Sequence, residues 1–304
     1  MSCKVSGERD VVSLDPALRV MAMSAEPLIP NPPSTDKASG CVARTVVRFQ
    51  NGSANKADDW IASEVPIALS YNGLAHVVML ATPMDLADFA LGFSLSEAII
   101  STPGELETIE IHERLEGIEM GLRIPASRAE AIAARQRNLS GRSSCGLCGT
   151  QQLEDVVRHP AVVGAGIHTT PETLHHALHS LEAAQPLNQR TGATHAAAWV
   201  DARGALLCVR EDVGRHNALD KLIGAITRNG FDVAEGFLIL TSRARYEMVQ
   251  KAATVGIGLI AAISAPTALA IHLADSCGVT LIGFARASGH VTYTHPHRMA
   301  EQDT

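Results

Sequence analysis

The chain has 304 residues, of which 46% are hydrophobic and 19% charged, with a formal net charge of -7. A chain of this length supports one large domain or two modest ones, and the composition is that of a water-soluble globular protein. The negative balance excludes general nucleic-acid binding but leaves room for a local basic pocket that takes an anion.

In chain order, the opening "MSCKVSGERDVV" carries charges of both signs and lacks the apolar core of a signal peptide. Six cysteines (Cys3, Cys41, Cys145, Cys148, Cys208 and Cys277) are too few and too scattered for a disulfide scaffold, so a reducing cytoplasm is the expected compartment. Residues 1–40 include "EPLIPNPPSTDKASG", rich in proline and small polar residues without periodicity, and a mobile tail is predicted there. Residues 41–135 are predicted as a small α+β unit. "CVARTVVRF" and "EVPIALSYNG" read as strands, and Asn72-Gly73 signals a hairpin returning through "LAHVVMLAT". Leu86, Phe89, Ala90 and Phe93 then recur at helical spacing, followed by the strand-like "LETIEIHE" and "IEMGLRIP" and a short alanine-rich helix. Residues 136–150, "QRNLSGRSSCGLCGT", have no apolar period and read as a flexible loop carrying Cys145 and Cys148.

Residues 151–304 are predicted as an α/β core. From about residue 194, apolar runs ("HAAAWV", "GALLCVRED", "GFLILT", "GLIAAIS", "VTLIGFA") alternate with helical segments, one with the stripe Leu219, Leu222, Ile223 and Ile226. Such alternation implies right-handed crossovers and a mainly parallel sheet. The apolar "VGIGLIAAISAPTALAIHLA" is broken by Ser264, Pro266, Thr267 and His272, so it reads as a buried strand and helix and no membrane span is predicted.

Ligands of such sheets bind beyond the carboxyl ends of the strands. Those ends are "EDVGRHN", "TSRAR", "SAPT" and "FARASGH", which together gather hydroxyls, helix N-termini and guanidiniums suited to a phosphate-bearing ligand, with Ser242 and Arg243 among the candidates. Ser242 and Thr267 could alternatively be simple helix caps. Glu211, Asp212, Arg215 and His216 could form an acid/base group or a salt-bridge network that fixes their loop, and positioning is the safer role.

For Cys145 and Cys148, a metal site would need two further ligands, for which His295 and His297 of "HPHR" are weak candidates, while His175, His176 and His179 read as a helix surface; no metal site is predicted. A zinc deaminase would need H-x-E and P-C-x-x-C. No histidine here has Glu two residues later, and Ser144 precedes Cys145. A thioredoxin-like pair would follow a strand directly, whereas this pair follows a polar loop. Sulfur carriage remains: an accessible thiolate, favoured by nearby Arg142 and flanked by glycines, could pass sulfur between two partners. Cys208 and Cys277, set in apolar stretches, read as inert core residues.

Taken together and in order, "SSCGLCG", "TGATHAAA", "EDVGRHNALDKLIG", "SRARYEMVQKAA", "ISAPTALAIHLA" and "TLIGFARASGH" resemble the formate dehydrogenase accessory family, FdhD, from about Thr45 to Tyr293. The resemblance implies a cytidine-deaminase-like α/β core without deaminase chemistry, and a homodimer. It implies a sulfurtransferase that takes sulfur from a cysteine desulfurase as a persulfide. The sulfur goes to the molybdenum or tungsten bis(molybdopterin guanine dinucleotide) cofactor before insertion into formate dehydrogenase. Matched motif by motif, the persulfide falls on Cys145 with Cys148 assisting or relaying, and the cofactor contact falls on Phe284, Ala285, Arg286, Ala287, Ser288 and Gly289. Ala193 stands in "TGATH" where many relatives carry glycine, so that turn is assigned no binding role. Two readings compete: a nucleotide-binding redox sensor in which Cys145 and Cys148 form a disulfide, and a module that shelters the cofactor without transferring sulfur.

Overall fold

In a computed structural model of the chain, the described residues are 11–13, 19–23, 40–139 and 160–299. The first part begins with β1 (Val11–Ser13), β2 (Arg19–Met23), β3 (Cys41–Gln50) and β4 (Ser53–Ala62). β5 (Val65–Tyr71) and β6 (Leu74–Ala81) form the expected hairpin, with Asn72 and Gly73 at φ of 49° and 81°, the paired positive values of a type I′ turn. α1 (Leu86–Ser96), β7 (Thr108–Glu113), β8 (Ile118–Arg123) and α2 (Ala126–Leu139) complete this part. Six strands form one sheet in the order β1-β2-β7-β8-β5-β6, while among the described residues β3 and β4 pair only with each other, as a ribbon.

Two features differ from expectation here. The segment before residue 40, predicted as a tail, contributes β1 and β2, with β2 running parallel to β7. These strands come from apolar tracts that precede the proline-rich stretch and contain neither proline nor glycine. β4 is a full strand because Asn51 and Gly52, at φ of 51° and 79°, make a second type I′ turn that folds the chain back onto β3.

The second part holds α3 (Pro171–Ala183), α4 (Pro186–Thr191), β9 (His195–Asp201), β10 (Leu206–Asp212), α5 (Arg215–Arg228), β11 (Gly236–Leu240), α6 (Tyr246–Thr254), β12 (Leu259–Ala262), α7 (Ala268–Ser276), β13 (Thr280–Arg286) and β14 (Gly289–Thr294). The sheet order is β10-β9-β11-β12-β13-β14. Parallel pairing is confined to β11-β12 and β12-β13, so the sheet is mixed rather than mainly parallel. The reason is connection length: short turns join β9 to β10 and β13 to β14, and a parallel crossover needs a dozen or more residues. Alternation along β11 fills both faces, with Leu238 and Leu240 packed in the cluster of α5, α6 and α7, and Phe237 and Ile239 packed in that of α3. The apolar stretch around Pro266 divides into β12 and α7 as expected, and among the described residues no helix is long and apolar enough to cross a membrane.

The predicted stripe of α5, Leu219, Leu222, Ile223 and Ile226, is buried against the second sheet. The opposite face of α5 is buried too, because α1 crosses it with backbone against backbone. A Cβ at Gly92 would meet the Asp220 carbonyl, and one at Gly224 would meet the Asp88 carbonyl. Only glycine permits this approach, and it joins the two parts of the fold.

Candidate functional site

β10, β11, β12 and β13 all point the same way, so their carboxyl ends share one rim with the start of β9. Backbone and hydroxyl bonds tie the rim loops into a shelf. Ala196 N donates to Thr241 Oγ1 (2.8 Å), Thr267 N to the Ala244 carbonyl (3.1 Å) and Phe284 N to the Ser264 carbonyl (3.3 Å).

Three arginines converge on this rim: Arg215 at the first turn of α5, and Arg243 and Arg245 just before α6. Among the described residues none of the three forms an ion pair. The Nε of Arg215 is buried without an acceptor. Burial, and then the charges of Arg245 and Arg243, press the Arg215 guanidinium toward its neutral form, with Glu247 opposing. His216 is pushed down to about 4 by burial first and Arg215 next, against the pull of Glu247. Its buried Nε2 has no hydrogen-bond partner, since the Glu247 carboxylate lies 3.9 Å away. His195, at the start of β9, is lowered by burial and by the same Arg215. A partly desolvated Arg215, crowded by the exposed Arg243 and Arg245 beside the N-termini of α5 and α6, is an arrangement that an anion would relieve.

Of the acid/base candidates, Glu211 and Asp212 are anchors. Glu211 accepts from the N–H groups of Leu187 (2.9 Å) and Asn188 (2.7 Å) at the start of α4, and from Thr194 Oγ1 (3.1 Å). Asp212 is fully buried, accepts from Thr82 N, Gly214 N and Asn217 Nδ2, and pairs with Lys221 Nζ at 2.7 Å. Only Arg215 and His216 of that quartet retain an unsatisfied nitrogen, so the stretch divides between positioning and site. Sequence reading placed Arg215 and Arg245 in separate loops. The signal available in sequence is that the β10–α5 and β11–α6 junctions both carry arginine, as "GRHN" and "SRAR".

The other predicted site residues fall as follows. Ser242 is buried, its hydroxyl donates to the Arg243 carbonyl (3.2 Å), and the residue that caps α6 is Arg245. Thr267 is a true cap, accepting from Ala270 N. The segment Phe284–Gly289 is not a loop beyond the strand: β13 runs through Arg286, which pairs with Gly289, and Ala287 and Ser288 alone make the turn. A register shift between Gly283 and Arg286 leaves Phe284 at φ 51° and 47% exposed, with Ala285 buried beneath. A phenylalanine held in the left-handed region is strained, and its ring stands on the shelf as a flat apolar face. Arg286 is exposed.

Cys145 and Cys148 lie outside the described residues. Of the thiols among the described residues, Cys41 and Cys277 are buried and Cys208 is half-buried, with burial pushing Cys208 up to about 11, so these are not ready nucleophiles. His295 and His297 meet edge to edge, and among the described residues no group of three metal-ligating side chains includes them. Ala193 is exposed just after Gly192, which ends α4 at φ 63°.

The fold is that of a mixed α/β protein whose rim gathers three arginines that form no ion pair among the described residues. A family profile described as FdhD/NarQ matches residues 62–300, and the chain belongs to that family. The "Sulfur carrier protein FdhD" of Xanthomonas campestris pv. campestris (strain B100) is 52% identical over 267 residues, which cover 88% of this chain and 95% of that protein. The protein of the same name from Cupriavidus necator is 50% identical over 257 residues, 84% of this chain and 89% of that one. The crystal structure of a protein assigned as a formate dehydrogenase accessory protein, from Desulfotalea psychrophila, superposes with a TM-score of 0.66 at 22% identity, covering 86% of this chain and 99% of the other, and thus shares the fold.

Proposed function

We propose that this chain is a cytoplasmic sulfurtransferase of formate dehydrogenase maturation, working as a homodimer. The Cys145 thiolate attacks the outer sulfur of a cysteine desulfurase persulfide, the donor sulfur-sulfur bond breaks, and the desulfurase thiolate leaves. Cys148 assists or relays. The rim holds the molybdenum or tungsten bis(molybdopterin guanine dinucleotide) substrate while sulfur is delivered. The sulfur half of this reading is supported by the relatives named sulfur carrier proteins and by the Cys145/Cys148 pair within the family's motifs. The single observation that carries the substrate half is the buried, acceptor-free Nε of Arg215 beside the exposed Arg243 and Arg245, a cluster of cations of the kind that binds a diphosphate. Ser242 and the segment from Phe284 through Ala285, Arg286, Ala287 and Ser288 to Gly289 complete the proposed contacts, with the Phe284 ring offering a stacking face. A cytidine-deaminase-like core belongs to the same proposal, supported by the three parallel strands with α6 and α7 as crossovers on one face.

The test is peptide mass spectrometry after incubation with a cysteine desulfurase and cysteine. A reductant-labile sulfur adduct on Cys145 is expected, and Cys145→Ala is expected to lose both the adduct and the ability to activate formate dehydrogenase. A Cys145–Cys148 disulfide without adduct would replace the reading with a redox sensor. Full activation by Cys145→Ala would replace it with a non-transferring cofactor carrier.

A further inference from the structure

The β3-β4 ribbon is ten residue pairs long and, among the described residues, pairs with no third strand. Its base is fastened: Cys41 is buried, Ser63 N donates to the Gly40 carbonyl (2.8 Å), and Arg190 lies 3.9 Å over the Trp60 ring. Its far end carries Val47 and Phe49 at 58% and 79% exposure. A two-stranded ribbon alone is marginal in water, and a long free edge is a template for another chain.

The charges on the two edges decide which chain that is. β3 bears only cations, Arg44 and Arg48, so no self-pairing of that edge opposes unlike charges. β4 bears Lys56, Asp58 and Asp59. When two identical antiparallel strands pair about a two-fold axis perpendicular to the sheet, residues directly opposite must point to the same face, so their numbers differ by an even count. Registers centred on Lys56, Asp58 or Asp59 set like charges against each other. The register centred on Ala57 opposes Lys56 of each copy to Asp58 of the other, twice, and is the sole register that opposes unlike charges. Asp58 is already steadied for that role, accepting from Thr45 Oγ1 at 2.9 Å. In the same register Ala54, which faces Phe49 within its own ribbon, meets Trp60 of the second copy, so two aromatic rings flank a methyl group and cover the exposed tip. Charge on an edge strand ordinarily keeps other chains away. Here its alternating sign selects an identical copy.

We propose that β4 is a homodimerisation edge, pairing with β4 of a second copy in the register centred on Ala57 to make a continuous four-stranded sheet, β3-β4-β4-β3. This rests on the homodimer reading above and names the surface that forms it.

Residues facing their own copy have Cα atoms about 4.5–5.5 Å apart, within disulfide reach. The test combines sedimentation of the full chain with oxidative cross-linking of Ala57→Cys, mapped by peptide and referred to the unsubstituted protein. A disulfide between the two introduced cysteines is expected, with none from Asn55→Cys, whose copies are offset by about 13 Å. Lys56→Asp is expected to weaken dimerisation about tenfold, and combining it with Asp58→Lys to restore it. A sedimenting dimer that neither cross-links through Ala57→Cys nor responds to Lys56→Asp overturns this surface while leaving the homodimer intact. A monomer at every concentration overturns both.

Discussion

Arg210 and Arg215 lie in one short stretch of chain and meet opposite fates. Arg210 donates to Asp88 at 2.6 Å and lies 3.6 Å from Asp85, and Asp88, 2% exposed, also binds Arg228. Around it, where the two parts of the fold meet, every buried charge is answered. Lys251 binds both oxygens of Asp220, Ser96 and Glu97, and Lys221 binds Asp212 and the Thr82 carbonyl. Although burial works against it, the carboxylates of Asp220 and Glu97 hold the Lys251 ammonium charged. On the rim, Arg215, Arg243 and Arg245 have no such partners among the described residues. The molecule satisfies its charges where they hold its parts together, whereas among the described residues the rim keeps the buried Arg215 Nε without an acceptor and two exposed arginines without an ion pair.

The largest expected effect follows from breaking the satisfied region. Lys221→Met strands Asp212 at 0% exposure and should cost about 3–5 kcal/mol, read as a fall in the denaturant midpoint without change in slope. A smaller and opposite-looking change is expected on the rim. Arg215→Ala should weaken guanosine diphosphate binding by roughly tenfold or more in calorimetry, while the melting temperature stays level or rises, because an unpartnered cation is removed. A parallel loss of stability would show that the rim arginines are structural after all. The smallest effect concerns pH. An unfolded imidazole binds its proton near 6.5, whereas folded His216 does so near 4, so between these values the unfolded chain holds more protons and stability falls as pH falls. With the side chain 35% exposed, solvent screening limits this to the order of 1 kcal/mol, and His216→Gln should flatten the unfolding free energy across that window.

Much of this contrast was hidden in the sequence, and the reason is distance along the chain. The helical stripe of α5, the Asn72-Gly73 hairpin and the rim itself were legible because periodicity, turn chemistry and the strand-end rule act locally. Asn51-Gly52 carries the same turn signal, but "SANKADDW" lacks the apolar alternation of a half-buried strand, as suits a ribbon exposed on both faces. At one edge of the mixed sheet the turn Ala287-Ser288 contains no glycine or asparagine to announce it, while at the other Gly204, at φ 84°, marks the turn between β9 and β10. Which arginine is paired could not be read at all: Arg210 finds Asp88 122 positions away. Sequence near Arg210 and Arg215 looks alike, and only the packing of α1 on α5 separates them.

That packing also sorts the chain by what it can afford to change. Exposed side chains of the rim loops, such as Arg243 and Arg286, can be exchanged without opening either hydrophobic core. Gly92 and Gly224 have no such latitude: each abuts the other helix's main chain, so any replacement at either position pries apart two hydrophobic cores at once. Random substitution libraries should therefore recover variants freely along the rim and almost none at these two glycines, even though neither touches the proposed chemistry.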